Sequence, residues 1–242
     1  MGTFVDQVAV ITGASSGVGK SIALALAKEG MNMCLVGRNK ETLDRVAEEA
    51  RTTTSHVLSC RADLTQDKDI QALKAFIQDN FQRVDVLVHS AGVIAQGPVV
   101  VAPVEDFDWQ YQTNVRGPYL LTQVLLPWLK VTQGQVIFIN SSIGLTAKGH
   151  LGPYAATKHA LKAIADSLRE EVNGDGLRVL SVFLGRTATP MQAAVHELEG
   201  RAYHPERLLQ PEDVASVVLN ALFLPRTAEV TDIHVRPFLK PG

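Results

Sequence analysis

Tyr154 and Lys158, four residues apart in YAATK, open a segment of helical period that continues through ALKAIADSLREEV. Positions four apart lie on one face of a helix, so the phenol and the ammonium point the same way. An unperturbed tyrosine has a pKa of about 10, and a fixed cation beside it favours the phenolate. A tyrosine tuned in this way can act as acid or base near neutrality. Taken alone, the same pair would also suit a solvated helix surface.

A second stretch with chemistry in it is VITGASSGVGKS, residues 10–21, which admits two phosphate-binding readings. From Gly19 it runs Gly-Lys-Ser and comes within one glycine of a P-loop, with Ala14 standing where the first P-loop glycine belongs. From Thr12 it is a turn carrying Gly13, Gly17 and Gly19 between a strand and a helix from Lys20 onward, a place for a dinucleotide's pyrophosphate. A P-loop enzyme also needs an aspartate at the end of a hydrophobic strand to hold magnesium. The runs ending at His89, Asn140 and Leu184 offer none, and Arg61 and Ala62 separate Asp63 from its run.

A dinucleotide site instead needs a group near the end of the second strand to read the adenosine ribose. Gly37 and Arg38 stand there. A guanidinium without a carboxylate favours a 2′-phosphate by on the order of 1.5–3 kcal/mol, a tenfold to hundredfold preference for NADP(H), with NAD(H) still possible. Glu41 is near enough in sequence to compete for Arg38 and blunt that preference. The alternative is an Arg38 that caps its strand in water.

Residues so far apart in sequence need a scaffold that brings strand ends together. Short apolar runs at 8–12, 32–37, 56–60, 84–90, 135–141, 178–184 and 230–235 alternate with segments of helical period, such as 21–30 and 42–50. This alternation predicts an α/β fold: a single doubly wound Rossmann-type domain, with a seven-stranded parallel sheet and helices on both faces. At 242 residues the chain can bury roughly 70 to 75% of its unfolded surface in one core. No linker, repeat or low-complexity tract divides it. Residues 185–210 are the exception to the alternation, with Pro190, Pro205, Tyr203, His196 and His204 and only a weak helical pattern, and are expected to form a substrate loop or lid.

The chain has 23 Lys and Arg against 25 Asp and Glu, with no run of like charge, which argues against nucleic-acid and polybasic membrane partners. No apolar run approaches eighteen residues, and Asp6 stands where a myristoylation signal wants Ser or Thr, so a cytoplasmic protein is expected. Cys34 and Cys60 read as free thiols. His150, His196 and His204 are not spaced as metal ligands, so no metal is expected. Trp109 and Trp128 read as core or subunit contacts, and Met191 and Leu151 as candidates for a substrate pocket.

Together, Thr12-Gly13-Ala14-Ser15-Ser16-Gly17-Val18-Gly19 and the Tyr154/Lys158 pair resemble the short-chain dehydrogenase/reductase family over nearly the whole chain. Ser141 in NSSIG matches that family's catalytic serine and Asn114 in QTNVRGPY its fourth catalytic residue. Asp63 in RADL matches the aspartate at the adenine ring, with Leu64 beside it, and Ala91-Gly92 resemble the family's Asn-Asn-Ala-Gly motif. Thr189, with Gly185 and Thr187 before it, matches the threonine at the nicotinamide carboxamide.

The resemblance implies a small-molecule carbonyl or alcohol substrate and a homotetramer or homodimer built through the helices of Asn114 and Tyr154. Ser141 would hold the carbonyl and Tyr154 exchange the proton. Lys158 would lower the phenol's pKa and bind ribose hydroxyls, and Asn114 would position a water. A non-catalytic NADP(H)-binding regulator, and isomerase or dehydratase chemistry on the same fold, are the other readings.

Three departures stand out. His89 and Ser90 replace the two asparagines that brace the sheet in the family. Leu184 replaces a common proline, which predicts a looser turn before Thr189. The ending AEVTDIHVRPFLKPG lacks the familiar glycines and leans toward the branch of hydroxy-acid and serine dehydrogenases.

Overall fold

The computed structural model describes residues 4–54 and 56–239; Met1 and Gly2, which opened the discounted myristoylation signal, lie outside them. Seven strands are described: β1 (Val8–Thr12), β2 (Asn32–Gly37), β3 (Val57–Arg61), β4 (Val86–His89), β5 (Gln135–Ser141), β6 (Arg178–Leu184) and β7 (Asp232–Val235). All pair in parallel, in the order β3-β2-β1-β4-β5-β6-β7. The order reverses between β1 and β4. Crevices at the carboxyl ends of strands beside such a reversal are where doubly wound sheets bind ligands.

Eight α-helices complete the described chain: α1 (Gly17–Lys28), α2 (Lys40–Ala50), α3 (Asp67–Asn80), α4 (Val104–Tyr111), α5 (Gly117–Thr132), α6 (Gly152–Val172), α7 (Pro190–Leu198) and α8 (Pro211–Leu222). Side chains alternate across a strand, and the two cores follow that alternation. Ala9, Ile11, Met33 and Leu35 pack under Ile22, Leu26, Leu43 and Val218 of α1, α2 and α8. Val10, Cys34, Val36 and Phe138 pack under Leu73, Leu125 and Leu161 of α3, α5 and α6. The continuous apolar runs of the sequence are therefore strands buried on both faces.

The first helix begins at Gly17, three residues earlier than the pattern placed it, so the glycine-rich turn is shorter than expected and α1 starts inside it. Trp109 is 40% exposed and so is not a core residue, whereas Trp128 packs against the α3, α5 and α6 core. Residues 185–210 are more regular than expected, with α7 and a 3-10 turn at Pro205–Arg207. The turn after Leu184 is pinned: Ala188 N donates to the Leu209 carbonyl at 2.8 Å and Leu209 N to the Arg186 carbonyl at 3.1 Å. These backbone bonds do what a proline would have done, and the looser turn expected there is not found.

His89 stands at the end of β4, stacks on Phe138 at 4.9 Å and shares a 2.8 Å hydrogen bond with Thr122 Oγ1 on α5. Thr122 spends its own proton on the Pro118 carbonyl, so His89 Nε2 is the donor and Nδ1 is left buried without a partner. A side-chain brace of the sheet thus survives the replacement of asparagine. Both cysteines are free, and no described helix is long and apolar enough to cross a membrane.

Candidate active site

A cavity of about 440 Å³ opens at the carboxyl ends of the strands, beside the β1/β4 reversal. Its floor at one end is the glycine-rich turn. Gly13 and Gly17 have φ of +65° and +53°, values that side chains rarely adopt. A Cβ at Gly13 would lie 2.7 Å from Ala91 N, one at Gly17 2.9 Å from Thr189 Cγ2, and one at Gly19 2.4 Å from the Gly13 carbonyl oxygen. Thr12 fixes the close approach to Ala91: its hydroxyl donates to the Val88 carbonyl and accepts from Ser90 N and Ala91 N at 3.1 and 3.2 Å.

Ser16 at the head of α1 makes no capping bond, and the first turn of the helix carries no acidic residue. The first N–H groups of α1 are therefore left for an anion, with the helix dipole in support. The P-loop alternative loses its side chains here. Lys20 pairs with Glu49 at 2.8 Å and Ser21 donates to Glu212 at 2.9 Å, and neither lines the cavity.

Arg38 lines the cavity just beyond β2, is exposed, and makes no ion pair among the described residues. The expected competition from Glu41 does not occur, because Glu41 pairs with Arg45 one helical turn on. Asp63 and Leu64 line the same end. Asp63 Oδ1 accepts from the Thr65 amide at 3.0 Å and its hydroxyl at 2.8 Å, while Asp69 holds the Asp63 amide at 2.9 Å. These residues fit a dinucleotide: small residues where backbone must approach it, free N–H groups for its pyrophosphate, and an unpaired guanidinium at the adenosine end.

Ser141, Tyr154 and Lys158 lie on the wall of the other half of the cavity. Ser141 ends β5 and caps the 3-10 turn Ser142–Gly144, its oxygen accepting from Ile143 N at 3.3 Å. Its own proton faces the Tyr154 phenol, whose pKa that hydrogen bond lowers. Asn140, which the sequence reading missed, clamps this strand end to α6: Nδ2 donates to the Lys158 carbonyl at 3.1 Å and Oδ1 accepts from Ser141 N at 2.8 Å. The signal was a polar amide ending an apolar run next to the serine.

Lys158 is 5% exposed, and its Nζ donates to the Ile139 carbonyl at 3.1 Å and sits 5.9 Å from the Tyr154 ring centre. Burial lowers the Lys158 ammonium to a pKa of about 8. Burial also pushes the Tyr154 phenol up to about 12, with the Ser141 hydroxyl pulling the other way. The downward tuning by the cation that the sequence suggested is therefore absent in the protein alone. Desolvation outweighs an ammonium that is itself buried and turned toward a carbonyl.

Asn114 lies behind the wall rather than on it, at the centre of a π-helical turn, Gln112–Arg116. Such turns are frequent at functional sites. Its amide is fully used: Oδ1 accepts from Val93 N at 2.8 Å, and Nδ2 donates to the Val93 carbonyl at 2.9 Å and to Thr157 Oγ1 at 3.2 Å. The Asn114 side chain is thus a brace for the backbone after Gly92, not a free ligand for water. Its main-chain carbonyl receives no i→i+4 bond, because Pro118, four residues on, has no N–H.

The remaining expected residues converge on the cavity. Ser15, Ser16, Val18, Gly92, Gly185, Thr187 and Thr189 line it, as do Leu151 and Met191. Gly19 does not line it and instead allows α1 to pack on the turn. Thr189 caps α7 by accepting from Gln192 N at 3.2 Å. Unforeseen were Arg186, Gln192 and Glu199. Arg186 Nη2 bonds both Glu199 oxygens at 2.9 Å, and its Nη1 approaches His196 Nε2 at 3.4 Å. Thirteen residues and a helix separate the pair, so no spacing rule could have found it.

A family model described as short chain dehydrogenase matches residues 7–200. The chain belongs to the short-chain dehydrogenase family. An uncharacterized oxidoreductase of Staphylococcus epidermidis is 33% identical over 96% of this chain and 97% of its own length. One from Staphylococcus aureus is 32% identical over 98% of this chain and 100% of its own. Among solved structures, an alcohol dehydrogenase from Thermococcus sibiricus complexed with 5-hydroxy-NADP superposes with a TM-score of 0.88 at 26% identity, covering 98% and 99% of the two chains. An actinorhodin polyketide ketoreductase with NADPH gives 0.88 at 28% identity, covering 97% of each.

Proposed function

We propose that the protein is an NADP(H)-dependent oxidoreductase that moves hydride between nicotinamide and the carbonyl or secondary alcohol of a small molecule. The observation that carries this is the meeting of Ser141, Tyr154 and Lys158 on one cavity whose other end is an uncapped helix start over a glycine turn. The bound nicotinamide supplies or accepts the hydride.

The residues supply the rest. Ser141, its oxygen already accepting from Ile143 N, turns its proton toward a substrate carbonyl. Tyr154, pushed up to about 12, keeps its proton at neutral pH and delivers it to the developing alkoxide, which suits the reductive direction. Lys158 carries its charge below about pH 8, holds ribose hydroxyls and favours the phenolate left behind. The Asn114 carbonyl, without an N–H from Pro118, is the group that would hold a water to return the proton.

Arg38 binds the 2′-phosphate and gives the preference for NADP(H); neighbours solved with NADP ligands support that choice. Gly13, Ser15, Ser16, Gly17 and Val18 hold the pyrophosphate, Asp63 and Leu64 the adenine, Ala91 and Gly92 the ribose, and Gly185, Thr187 and Thr189 the carboxamide. Residues 185–210 form the substrate lid of a one-domain enzyme. Exposed Phe107, Trp109, Tyr111 and Tyr119 on α4 and α5 support a homodimer or homotetramer. The near-neutral charge and free thiols favour a cytoplasmic enzyme without a nucleic-acid partner.

The test is loss of reduced-nicotinamide absorbance with NADPH, then NADH, over a panel of ketones and aldehydes. Tyr154→Phe should lower kcat by about 100-fold or more, the usual worth of a positioned proton donor. Arg38→Ala should erase about tenfold or more of the NADPH preference. Undiminished turnover in Tyr154→Phe would remove the phenol from the mechanism.

A further inference from the structure

Helix α7 walls the cavity without being rooted in either core. It is nine residues long, and Val195 and His196 are its buried residues. Val195 belongs to neither core cluster, while Met191 and Leu198 are exposed. A helix shorter than about 12–15 residues is marginal by itself, so what places α7 must act at its ends. Thr189 caps the first end. Glu199 follows the last residue at the other.

Arg186 meets Glu199 across the length of the helix. Its Nη2 lies 2.9 Å from both Glu199 oxygens, and the two side chains are 29% and 23% exposed. A charge-assisted contact partly withdrawn from water is stronger than one on the open surface. Arg201 reaches the same carboxylate only at 3.6 Å, from the solvent side. Arg186 comes from the end of β6, and its main chain is fixed there, because its carbonyl accepts from Leu209 N at 3.1 Å.

The other arm of the guanidinium reaches His196. His196 Nδ1 lies 2.8 Å from the Gln192 carbonyl, which can only accept, so Nδ1 donates and Nε2 is left facing Arg186 Nη1 at 3.4 Å. Tyr203 meets the His196 ring edge-on at 5.3 Å, and Arg201 N donates to the His196 carbonyl at 2.9 Å. One arginine at a strand end thus braces α7 at both His196 and Glu199.

We propose, resting on the oxidoreductase reading above, that Arg186 and Glu199 are positioning residues: their pair struts α7 against the end of β6 and so holds in place the wall of Met191, Gln192 and Val195 that meets the substrate. The strut acts through the helix, so losing either partner frees the same wall.

The experiment combines steady-state kinetics, on a ketone that the wild type reduces, with amide hydrogen exchange in Glu199→Ala, Arg186→Met and the double variant. Each single variant should raise KM for the ketone by about tenfold with kcat within about threefold, and the double variant should do no more than either. Exchange over residues 191–199 should quicken by about tenfold in all three, while β6 and α6 keep the wild-type rates. A general loss of fold would instead quicken exchange everywhere and leave KM unmoved. Neither residue belongs to a core, so the variants should fold. Glu199→Gln, which keeps the shape and removes the charge, should move KM and exchange the same way to a smaller extent.

Single effects that multiply in the double variant, unchanged exchange over 191–199, or quicker exchange with an unmoved KM would each overturn the proposal while leaving the oxidoreductase intact. If no substrate turns over in the wild type, exchange alone decides. Quickening confined to 191–199 then supports the strut even though the reaction assignment has failed, and unchanged exchange overturns it.

Discussion

At the scale of single residues, the chemistry turns on two groups whose pKa values burial moves in opposite directions. Tyr154, at about 12, holds its proton throughout the working range, and Lys158, at about 8, does not. A buried lysine is charged below its lowered pKa and neutral above it, so the ammonium that supports the departing phenol proton is lost as pH rises through about 8. The second-order rate constant for reduction, which reports the free enzyme, should therefore be level through neutrality and fall above about pH 8. A pH profile of kcat/KM with NADPH checks this; a fall that begins only near the ordinary lysine pKa of about 10.4 would mean Lys158 is better solvated than its 5% exposure implies. The sequence pointed to the residues proposed to carry the chemistry because side-chain types and spacing are written in it. It did not show the phenol's upward shift, because desolvation depends on what covers a group and not on what precedes it.

At the scale of elements, His89 shows what replacing one strand-end residue does. It is buried, held neutral and lowered to about 3, whereas an unfolded histidine titrates near 6.5. Its folded pKa is the depressed one, so below about pH 6.5 the unfolded chain takes up a proton that the folded chain refuses, and stability falls as pH drops. Chemical denaturation should show His89→Asn losing about 2–3 kcal/mol less than the wild type between about pH 6.5 and about pH 4.5. An equal loss in both proteins would place the acid sensitivity elsewhere. The π-helical turn at Asn114 belongs to this scale too. The motif pointed to Asn114, but a five-residue turn that gives its amide to Val93 has no signature in residue spacing. The cavity wall was legible only in part: Met191 and Leu151 line it, but the Arg186–Glu199 pair closes across α7, which spacing does not show.

At the scale of the whole molecule, the sheet and its two cores were legible because parallel strands covered on both faces leave runs such as VAVIT and RVLSVFL with almost nothing polar in them. Strand limits agree to within two residues, the shortfalls falling at β4 and β7, where the expected run begins two residues before the first strand residue. Helices were harder to delimit, since α1 starts inside a glycine turn that composition alone reads as loop. That turn touches more than the sheet. Gly17 lies where a Cβ would be 2.9 Å from Thr189 Cγ2, and Thr189 caps α7, which lines the same cavity. On the proposed function the cofactor's cradle thus adjoins the substrate's wall, and that closeness has a kinetic meaning: the two ligands should add in a fixed sequence, dinucleotide first and released last. Initial-rate patterns would then show NADP competing with NADPH alone, while the alcohol product inhibits without competing with NADPH.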